Sequence, residues 1–354
     1  MSEPLTVDAR VAARDVHVQF DVAAGDVVAL IGPNGAGKST TIHLLAGALR
    51  PESGAITLGP TTLAGPHAFV PPHRRKIGYL EQRALLFPHL NVLDNVAYGP
   101  RCWGASRQDA RRRAASELAA VGLAGFETRP VGTLSGGQAQ RVALARSLAC
   151  DPDVVLLDEP FAALDATTTP ALRHLVRGRL RGITTLIATH DPLDVMVLAD
   201  RVVALEHGRV TSEGSVEEMV ARPSSAFLAD FVGLNLLTGR AEGTQALALS
   251  DGSLISGLSE APLPEGGARA VFAPDAVSLF TTPPHGSPRT TLRAVVSAIE
   301  DRGMVQRVSL LVAGQRIHAD VTPAAVRDLG LTEGDPVVAA IKATQVALHP
   351  VPAR

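Results

Sequence analysis

The stretch "DVVALIGPNGAGKSTTIHLLAGAL", residues 26–49, joins a continuous apolar run, a glycine-rich turn and a segment with helical character. The run is typical of a strand buried on both faces of a parallel sheet, and the turn fits G-x-x-x-x-G-K followed by serine or threonine. Glycines let backbone amides approach a phosphate, and the helix that follows adds positive potential. Lys38 is expected to bridge the β- and γ-phosphates and Ser39 to bind Mg²⁺. The predicted nucleotide site comprises Gly32, Pro33, Asn34, Gly35, Ala36, Gly37, Lys38, Ser39 and Thr40.

A second apolar run, "VVLLDEP" at residues 154–160, ends in two carboxylates. Four apolar residues carry Asp158 to the carboxyl end of a predicted strand, where ligands bind in α/β sheets. Asp158 is expected to hold Mg²⁺ through water, and Glu159 to polarise the attacking water as a general base. Together with the phosphate loop, the two carboxylates predict hydrolysis of ATP in the presence of Mg²⁺.

A second glycine-rich turn, "LSGGQAQR" at residues 134–141, precedes another helical segment. Ser135, Gly136 and Gly137 offer a hydroxyl and backbone amides, and the helix that begins near Gln138 adds its dipole. Charge spreads over the γ-phosphate oxygens in the transition state, so donors are needed on the face that the phosphate loop leaves open. A rigid fold does not easily bring both turns of one chain together. The sequence therefore predicts a head-to-tail homodimer in which each chain completes the other's site.

The order of these motifs resembles the ATPase subunits of ABC transporters over about residues 5–235. "LSGGQ" directly before a helix and upstream of "DEP" is the signature of that family. The resemblance implies that Gln82 senses Mg²⁺ and the lytic water, that His190 contacts the γ-phosphate and holds Glu159, and that Asp165 communicates across the dimer. It also implies that "ALLFPHLNV", residues 84–92, contacts a transmembrane permease, with Phe87 and His89 as contact residues.

One position departs from the pattern of that family, which usually stacks adenine on an aromatic residue before the phosphate-loop strand. Counting back about sixteen positions from Gly25–Asp26 reaches Ala9 and Arg10, and no aromatic residue lies there. Because a planar guanidinium stacks on rings, Arg10 is the residue expected to take this place.

Strands alternate with helical segments up to about residue 235, which predicts an α/β layered domain, 1–235. Residues 105–122 and 138–150 are predicted to be helical, within a helical subdomain of about 88–150 beside a RecA-like core. Residues 236–284 are rich in Gly, Pro and Ser and are expected to form a strand-rich connector. In residues 285–354 five short strands surround one small helix, "PAAVRDLG", which predicts an OB-like barrel. The predicted fold class is a P-loop NTPase cassette of the ABC type followed by a small all-β domain.

The composition of the 354-residue chain limits the remaining possibilities. Hydrophobic residues make up 46% of it, and the net charge of −2 does not suit a protein that binds nucleic acid through bulk charge. Cys102 and Cys150 lie far apart, so neither a disulfide framework nor a zinc site is expected. No apolar run approaches the ~20 residues of a membrane helix, and the N-terminus lacks a signal-peptide core. A soluble chain is expected, which would reach a membrane only through a partner.

The C-terminal segment resembles the Mop-like (TOBE) modules that bind molybdate and tungstate in importer ATPases. "LGLTEG" and "IKAT" match that module, and "HGSPRTTL" resembles its opening segment, with Pro288 and Thr290 in place of the usual residues. Tetrahedral oxyanions are held by hydroxyls, backbone amides and a cation. Many such modules only dimerise. If this one binds an oxyanion between two modules, the residues expected to hold it are Ser287, Arg289, Thr290, Lys342 and Thr344.

These resemblances imply the ATP-hydrolysing subunit of a molybdate or tungstate importer, peripheral to the cytoplasmic side of the cell membrane. Two copies would drive a separate permease that receives its cargo from an extracytoplasmic molybdate-binding protein. Three alternatives stay open: an importer of sulfate, iron, polyamine or sugar, a non-transport ABC ATPase acting on nucleic acid or ribosomes, and a regulatory oxyanion-binding protein with a vestigial cassette. Intact Lys38, Asp158 and Glu159 argue against the last of these.

Overall fold

The computed structural model describes residues 3–165 and 167–351 and divides into two compact units between Val216 and Glu217. In the first unit the strands are β1 (Leu5–Val11), β2 (Val16–Val22), β3 (Val27–Ile31), β4 (Ser53–Leu58), β5 (Thr61–Ala64), β6 (Ile77–Leu80), β7 (Val154–Asp158), β8 (Thr184–Ala188), β9 (Arg201–Glu206) and β10 (Arg209–Ser215). Its helices are α1 (Lys38–Ala46), α2 (Val92–Cys102), α3 (Arg107–Ala120), α4 (Gly136–Ala149), α5 (Thr169–Leu180) and α6 (Pro192–Leu198).

The central sheet of this unit has the strand order β10-β9-β3-β8-β7-β6, and the strands from β9 to β6 run parallel. Three of them, β3, β7 and β8, are buried at every position, which explains their continuous apolar sequences. Because parallel strands end at the same edge, the segments after β3, β6, β7 and β8 meet there. This edge carries the phosphate loop and the predicted catalytic residues.

A smaller antiparallel sheet has the strand order β2-β1-β4-β5. Its buried residues and those of α1 belong to one apolar cluster. Its strands β1 and β2 alternate strictly between buried and exposed residues, as expected for a sheet with one solvated face. The first of them was not predicted, although "LTVDARV" shows this alternation.

Two glycines of the phosphate loop are required by the backbone. Gly37 precedes α1 with a φ of 104°, a conformation that other residues adopt only at a cost. At Gly32 the chain passes so close to β9 that a Cβ atom would lie 2.2 Å from the carbonyl oxygen of Leu205. The loop therefore keeps its shape only with glycine at both positions.

Arg75 ties the far end of α1 to the neighbouring segments. Its guanidinium is buried and donates to the carbonyl oxygens of Leu44 at 2.9 Å, Leu45 at 2.6 Å, Leu63 at 3.0 Å and Val70 at 2.8 Å. The first two lie at the C-terminal end of the helix, where carbonyl groups need partners from outside it, and that of Leu44 also accepts from the backbone N–H of Gly47 at 3.2 Å. Burial lowers the pKa of Arg75 to about 10, so the side chain is still charged at neutral pH.

Among the described residues, the second unit contains three helices and ten strands. The helices are α7 (Val216–Ala221, which begins at the boundary), α8 (Ala226–Phe231) and α9 (Pro323–Leu329). The strands form two antiparallel sheets of five strands each, with the orders β13-β12-β11-β14-β20 and β15-β19-β16-β17-β18. The strands are β11 (Asn235–Glu242), β12 (Ala246–Ala248), β13 (Leu254–Ser256), β14 (Gly267–Phe272), β15 (Val277–Phe280), β16 (Thr290–Asp301), β17 (Gln306–Val312), β18 (Gln315–Val321), β19 (Pro336–Ile341) and β20 (Ala347–Pro350).

The segment 236–284 contributes strands to both of these sheets. β14 pairs with β20, and β15 pairs with β19, so the five strands and the helix predicted after residue 285 are joined by strands that precede them. One apolar cluster contains residues of both stretches, among them Leu237, Phe272, Leu310 and Ile341. Edge strands need partners or cover, and the earlier strands supply them.

The comparison with known folds given below agrees with the predicted class, an α/β cassette followed by an all-β domain. The predicted helices over 105–122 and 138–150 are α3 and α4, and "PAAVRDLG" is α9. Among the described residues, none of the helices is both long and apolar enough to span a membrane.

Replacing Arg75 with methionine is expected to lower the free energy of unfolding by about 3 kcal/mol, because it leaves buried carbonyl groups without donors. Urea denaturation of the variant would measure the loss. The exposed neighbour Arg74 provides the control, and Arg74→Met should change stability by less than about 0.5 kcal/mol. Equal losses in the two variants would contradict the anchoring role of Arg75.

Candidate functional site

The edge of the central sheet holds a cavity of about 260 Å³ at the start of α1. It brings together most of the predicted phosphate loop with residues from the ends of β6 and β7, with Arg14 from the turn between β1 and β2, and with Val16, the first residue of β2. The lining residues are Arg14, Val16, Asn34, Gly35, Ala36, Gly37, Lys38, Ser39, Thr40, Gln82, Asp158 and Glu159.

Lys38 is held across the phosphate loop by the loop's own carbonyl groups. Its Nζ donates to the carbonyl oxygen of Gly32 at 2.6 Å and to that of Pro33 at 3.2 Å. Gly32 and Pro33 therefore act on the site through Lys38, and neither is among the described residues that line the cavity. Burial lowers the pKa of the Lys38 ammonium, and the carboxylates of Glu159 and Asp158 oppose that shift. The arrangement places the Lys38 ammonium beside the phosphate loop at the start of α1, which suits a polyphosphate.

Asp158 ends β7 and is only 8% exposed. Burial raises the pKa of its carboxyl, the negative charge of Glu159 adds to the rise, and His43 and Lys38 oppose it. Of these two groups, Lys38 lines the cavity and His43 lies in α1. A buried carboxylate in this setting is stabilised by a bound cation.

Glu159 has a left-handed backbone, with a φ of 49°. Such a conformation costs a non-glycine residue about 1–3 kcal/mol and is concentrated at functional sites. It is held here by a hydrogen bond from the backbone N–H of Glu159 to the carbonyl oxygen of Ala188, at 2.9 Å. The turn directs the carboxylate of Glu159 into the cavity beside Asp158.

His190 contacts this carboxylate directly. Its Nδ1 lies 2.8 Å from Oε2 of Glu159, and 72% of the histidine side chain is exposed. The sequence placed these two residues in one site although they are 31 positions apart (190 minus 159). The contact is made because β7 and β8 are parallel neighbours, so the residues after each strand meet.

The predicted Mg²⁺ ligands fit that ion. Ser39, Gln82 and Asp158 all line the same cavity, and they offer a hydroxyl, an amide and a carboxylate oxygen. Mg²⁺ prefers hard oxygen ligands and keeps several waters, so few protein ligands are needed.

The second glycine-rich turn lies elsewhere. None of Ser135, Gly136, Gly137 and Gln138 is among the described residues that line the cavity. Ser135 caps α4: its Oγ accepts from the backbone N–H of Gln138 at 3.3 Å, and Oε1 of Gln138 accepts from the N–H of Ser135 at 3.0 Å. Ser135 and Gly136 are exposed. The turn is thus a rigid helix N-terminus that faces solvent within one chain.

Asp165 lies in the turn before the next helix, α5. Its carboxylate accepts from Thr167 Oγ1 at 2.6 Å, from Thr168 Oγ1 at 2.8 Å and from the backbone N–H of Thr168 at 2.9 Å. These donors lower the pKa of Asp165. The residues just before it, Ala163 and Leu164, pack against Gly137, where an added Cβ would lie 3.1 Å from Leu164 Cδ2. Asp165 is therefore next to the second glycine-rich turn, away from the phosphate loop of its own chain.

The loop with Phe87 and His89 is shaped by a buried amide. Asn95 in α2 is fully buried, accepts from the N–H of Phe87 at 2.8 Å and donates to the carbonyl oxygens of Phe87, Leu90 and Asn91. The Phe87 ring lies 4.6 Å from that of Tyr98 and 6.0 Å from that of His89. Leu85 and Tyr98 are exposed apolar side chains beside them. We call the residues Leu85, Phe87, His89 and Tyr98 the aromatic patch.

The predicted oxyanion residues lie on two segments of the second unit that the sheet brings together. Thr290, the first residue of β16, pairs with Ile341, the last residue of β19. Arg289, just before β16, and Lys342, just after β19, therefore lie at neighbouring strand ends. Ser287, Arg289, Lys342 and Thr344 are exposed. Thr290 is fully buried, and its Oγ1 accepts from the backbone N–H of Ser256 at 2.8 Å. Thr290 is thus buried within the unit, whereas the other four predicted residues are exposed.

Comparisons with known proteins identify the architecture. A family model described as "ABC transporter" matches residues 16–162, and one described as "TOBE domain" matches residues 286–348. The molybdenum import ATP-binding protein ModC of Mycobacterium tuberculosis is 41% identical over 364 aligned positions, which cover 98% of each chain. This chain belongs to the ABC transporter ATP-binding proteins.

Two further comparisons bear on the ABC protein. The sulfate/thiosulfate import ATP-binding protein CysA of Mycobacterium bovis is 37% identical, over 93% of this chain and 88% of the relative. The ATP-binding cassette MJ0796, solved as a dimer in a post-hydrolysis state bound to ADP and Pi, is 27% identical with a TM-score of 0.53. That structure covers 61% of this chain and 99% of its own.

A larger groove of the ABC cassette, about 720 Å³, lies between α2, α3 and α4. Its charged side chains are largely paired with one another: Arg113 with Asp151, Arg112 with Asp109, and Arg179 with Glu117. The phosphate-loop cavity is smaller, but its cation and carboxylates converge on open space. It is therefore the better candidate for the nucleotide.

Arg14 and Val16 line the cavity although the sequence analysis did not predict them. Arg14 Nη1 lies 3.4 Å from Thr40 Oγ1, and both Arg14 and Val16 line the cavity. Arg10, the predicted stacking residue, lies in β1 and is not among the described lining residues. Recognition of β1 would have placed the β1–β2 turn, and hence Arg14, beside α1.

Replacing Arg14 with alanine is expected to weaken ATP binding about 10-fold, because a planar cation at the edge of the phosphate site is lost. Equilibrium titration with a fluorescent ATP analogue would measure the dissociation constant. Arg10→Ala is the matched control and should leave that constant within about 2-fold of wild type. A larger effect at Arg10 than at Arg14 would favour the original prediction instead.

Proposed function

We propose that this protein is the ATP-hydrolysing subunit of an ABC importer for molybdate or tungstate. The observation that carries the proposal is the end-to-end similarity to the molybdenum import protein, with a TOBE domain and a cavity lined by Lys38, Asp158 and Glu159 in the same chain. Sulfate import is the second candidate, favoured by the CysA relative, whose identity and coverage are both lower.

In the proposed reaction the chain's own groups bind and orient ATP. The amides of the phosphate loop and Lys38 hold the β- and γ-phosphates, and Arg14 lies beside Thr40 at the rim of the same cavity. Glu159 accepts the proton of the attacking water, and His190 fixes the position of its carboxylate. Mg²⁺, held by Ser39, Asp158 and Gln82, would neutralise phosphate charge.

We further propose that the active form is a head-to-tail homodimer. Each chain has a phosphate loop that is open on one side and a capped, exposed helix N-terminus at Ser135 that faces solvent. Two such half-sites complement each other, because the Ser135 turn offers a hydroxyl and amides to the uncovered side of the γ-phosphate. Asp165, packed next to that turn, would report the partner's nucleotide state.

The aromatic patch is the proposed contact with a transmembrane permease. Exposed Leu85 and Tyr98 surround Phe87, and the buried amide of Asn95 keeps their loop rigid. An aromatic surface on a rigid loop is typical of a docking site for another protein. Through it the subunit would lie at the cytoplasmic side of the cell membrane, with cargo delivered by an extracytoplasmic molybdate-binding protein. No nucleic-acid partner is proposed.

For the C-terminal domain we propose oxyanion binding by Ser287, Arg289, Lys342 and Thr344. Two cations and two hydroxyls lie on exposed neighbouring segments, which suits a tetrahedral anion held between two such domains. Thr290 supports this site through the backbone of Ser256.

Glu159→Gln is expected to bind ATP but to hydrolyse it at least 100-fold more slowly, because the general base is lost. ATP should then trap a stable dimer, visible by size-exclusion chromatography with light scattering. Adding Ser135→Arg in the Glu159→Gln background should abolish the dimer while each monomer still binds ATP. Loss of ATP binding in the double variant, or a persistent dimer, would contradict the shared site.

Deletion of the gene in its host should abolish high-affinity uptake of radiolabelled molybdate, and the wild-type chain should restore it. The Glu159→Gln chain should not restore uptake, because transport requires turnover. Competition with a 100-fold excess of unlabelled tungstate or sulfate identifies the cargo class. Unimpaired molybdate uptake in the deletion strain would contradict the molybdate assignment. Together with competition by sulfate, it would favour sulfate import instead.

A further inference from the structure

Arg173 is a buried arginine placed between the two segments that carry Glu159 and His190. It lies in α5 and is 7% exposed. Its guanidinium carbon lies 5.6 Å from the centre of the Phe161 ring, two residues after Glu159. On its other side, Nε donates to Oδ1 of Asp194 at 2.6 Å, and Nη2 donates to Oδ2 of Asp191. One side chain thus contacts both catalytic segments.

The two acceptors of Arg173 follow His190 in the chain, and both are linked to Thr189, which precedes it. Oγ1 of Thr189 donates to Oδ2 of Asp194 at 2.7 Å and accepts from the backbone N–H of Asp191 at 3.1 Å. Asp191 also caps α6, accepting from the N–H of Leu193 at 2.8 Å. Thr189 and Asp194 are buried, whereas His190 between them is exposed. The position of the exposed imidazole is therefore set by a buried network on both of its neighbours.

We propose that Arg173 is a positioning residue for ATP hydrolysis that holds the His190 loop against the Glu159 segment. The inference rests on the proposed ATPase function. Arg173 is not among the described residues that line the nucleotide cavity, so it acts through His190 and Glu159. Its loss should lower kcat and leave ATP binding unchanged, since small misplacements of a catalytic group reduce the rate strongly.

A purely structural role for Arg173 predicts a different result. Removing one partner of a buried ion pair leaves an uncompensated charge and destabilises the fold. In the double variant Arg173→Met/Asp194→Asn the charge of Asp194 is removed as well, so stability should largely return. If Arg173 only stabilises the fold, activity should return with it. If it positions His190, kcat should stay low.

Arg177 supplies the matched control. It lies one turn further along α5 and donates through Nη1 to the carbonyl oxygen of Val197 in α6, so Arg177→Met removes an arginine from the same helix without touching the His190 loop. This variant should keep wild-type kcat within about 2-fold.

The experiment measures three quantities on the full chain: kcat for ATP at saturating Mg²⁺, the dissociation constant for a non-hydrolysable ATP analogue, and Tm. For Arg173→Met/Asp194→Asn we expect kcat to fall 10- to 100-fold, with analogue binding within about 2-fold and Tm within about 4 °C of wild type. In a His190→Ala background the same pair of substitutions should lower kcat by less than about 2-fold, because the group that Arg173 positions is already absent.

Full kcat in the double variant would overturn the inference while the ATPase function stands. So would an undiminished loss in the His190→Ala background, or a loss that appears only as weaker analogue binding. A wild-type chain without ATPase activity would overturn the proposed function together with this inference.

Discussion

The site depends on one geometric constraint, the parallel pairing of β3, β8, β7 and β6. Parallel strands place their carboxyl ends at a common edge, so residues distant in sequence arrive together. Gln82 follows β6, Asp158 ends β7, His190 follows β8, and the phosphate loop follows β3. The apolar sequences of these strands keep the sheet buried on both faces, and this burial fixes the position of every group at the edge.

The same edge brings together two neighbouring carboxylates and a partly buried ammonium group. Burial raises the pKa of Asp158, and Glu159 beside it adds to the effect, while the Lys38 ammonium is itself partly desolvated. Lys38 meanwhile bonds to carbonyl oxygens of its own loop. A bound polyphosphate would give Lys38 an anionic partner, and its Mg²⁺ would pair with the carboxylate of Asp158. The fold also holds the backbone of Glu159 in a strained left-handed conformation, and this conformation places its carboxylate.

Local motifs made the phosphate loop and the carboxylate pair predictable, because each depends on residues a few positions apart. Arg14 and Arg173 were not predictable in this way. Arg14 reaches the cavity only through the β1–β2 turn. Arg173 contacts Asp191 and Asp194, which lie 18 and 21 positions away in the sequence. Their roles arise from tertiary pairing, and neither residue belongs to a recognisable spacing. The participation of residues 236–284 in both C-terminal sheets likewise follows from the pairing of edge strands, which composition does not encode.

The two proposed binding sites share a physical reason to require a second copy. An anion is held tightly when its donors exclude water from several sides, and in each unit the described donors cover one side only. Ser135 offers its turn to solvent at one end of the cassette, while the phosphate loop opens elsewhere. Arg289 and Lys342 are likewise exposed at neighbouring strand ends of the TOBE domain, whereas Thr290 is fully buried and accepts from the backbone N–H of Ser256. Association would therefore supply at both sites the burial that a single chain lacks, so that anion binding would favour dimerisation and dimerisation would strengthen anion binding.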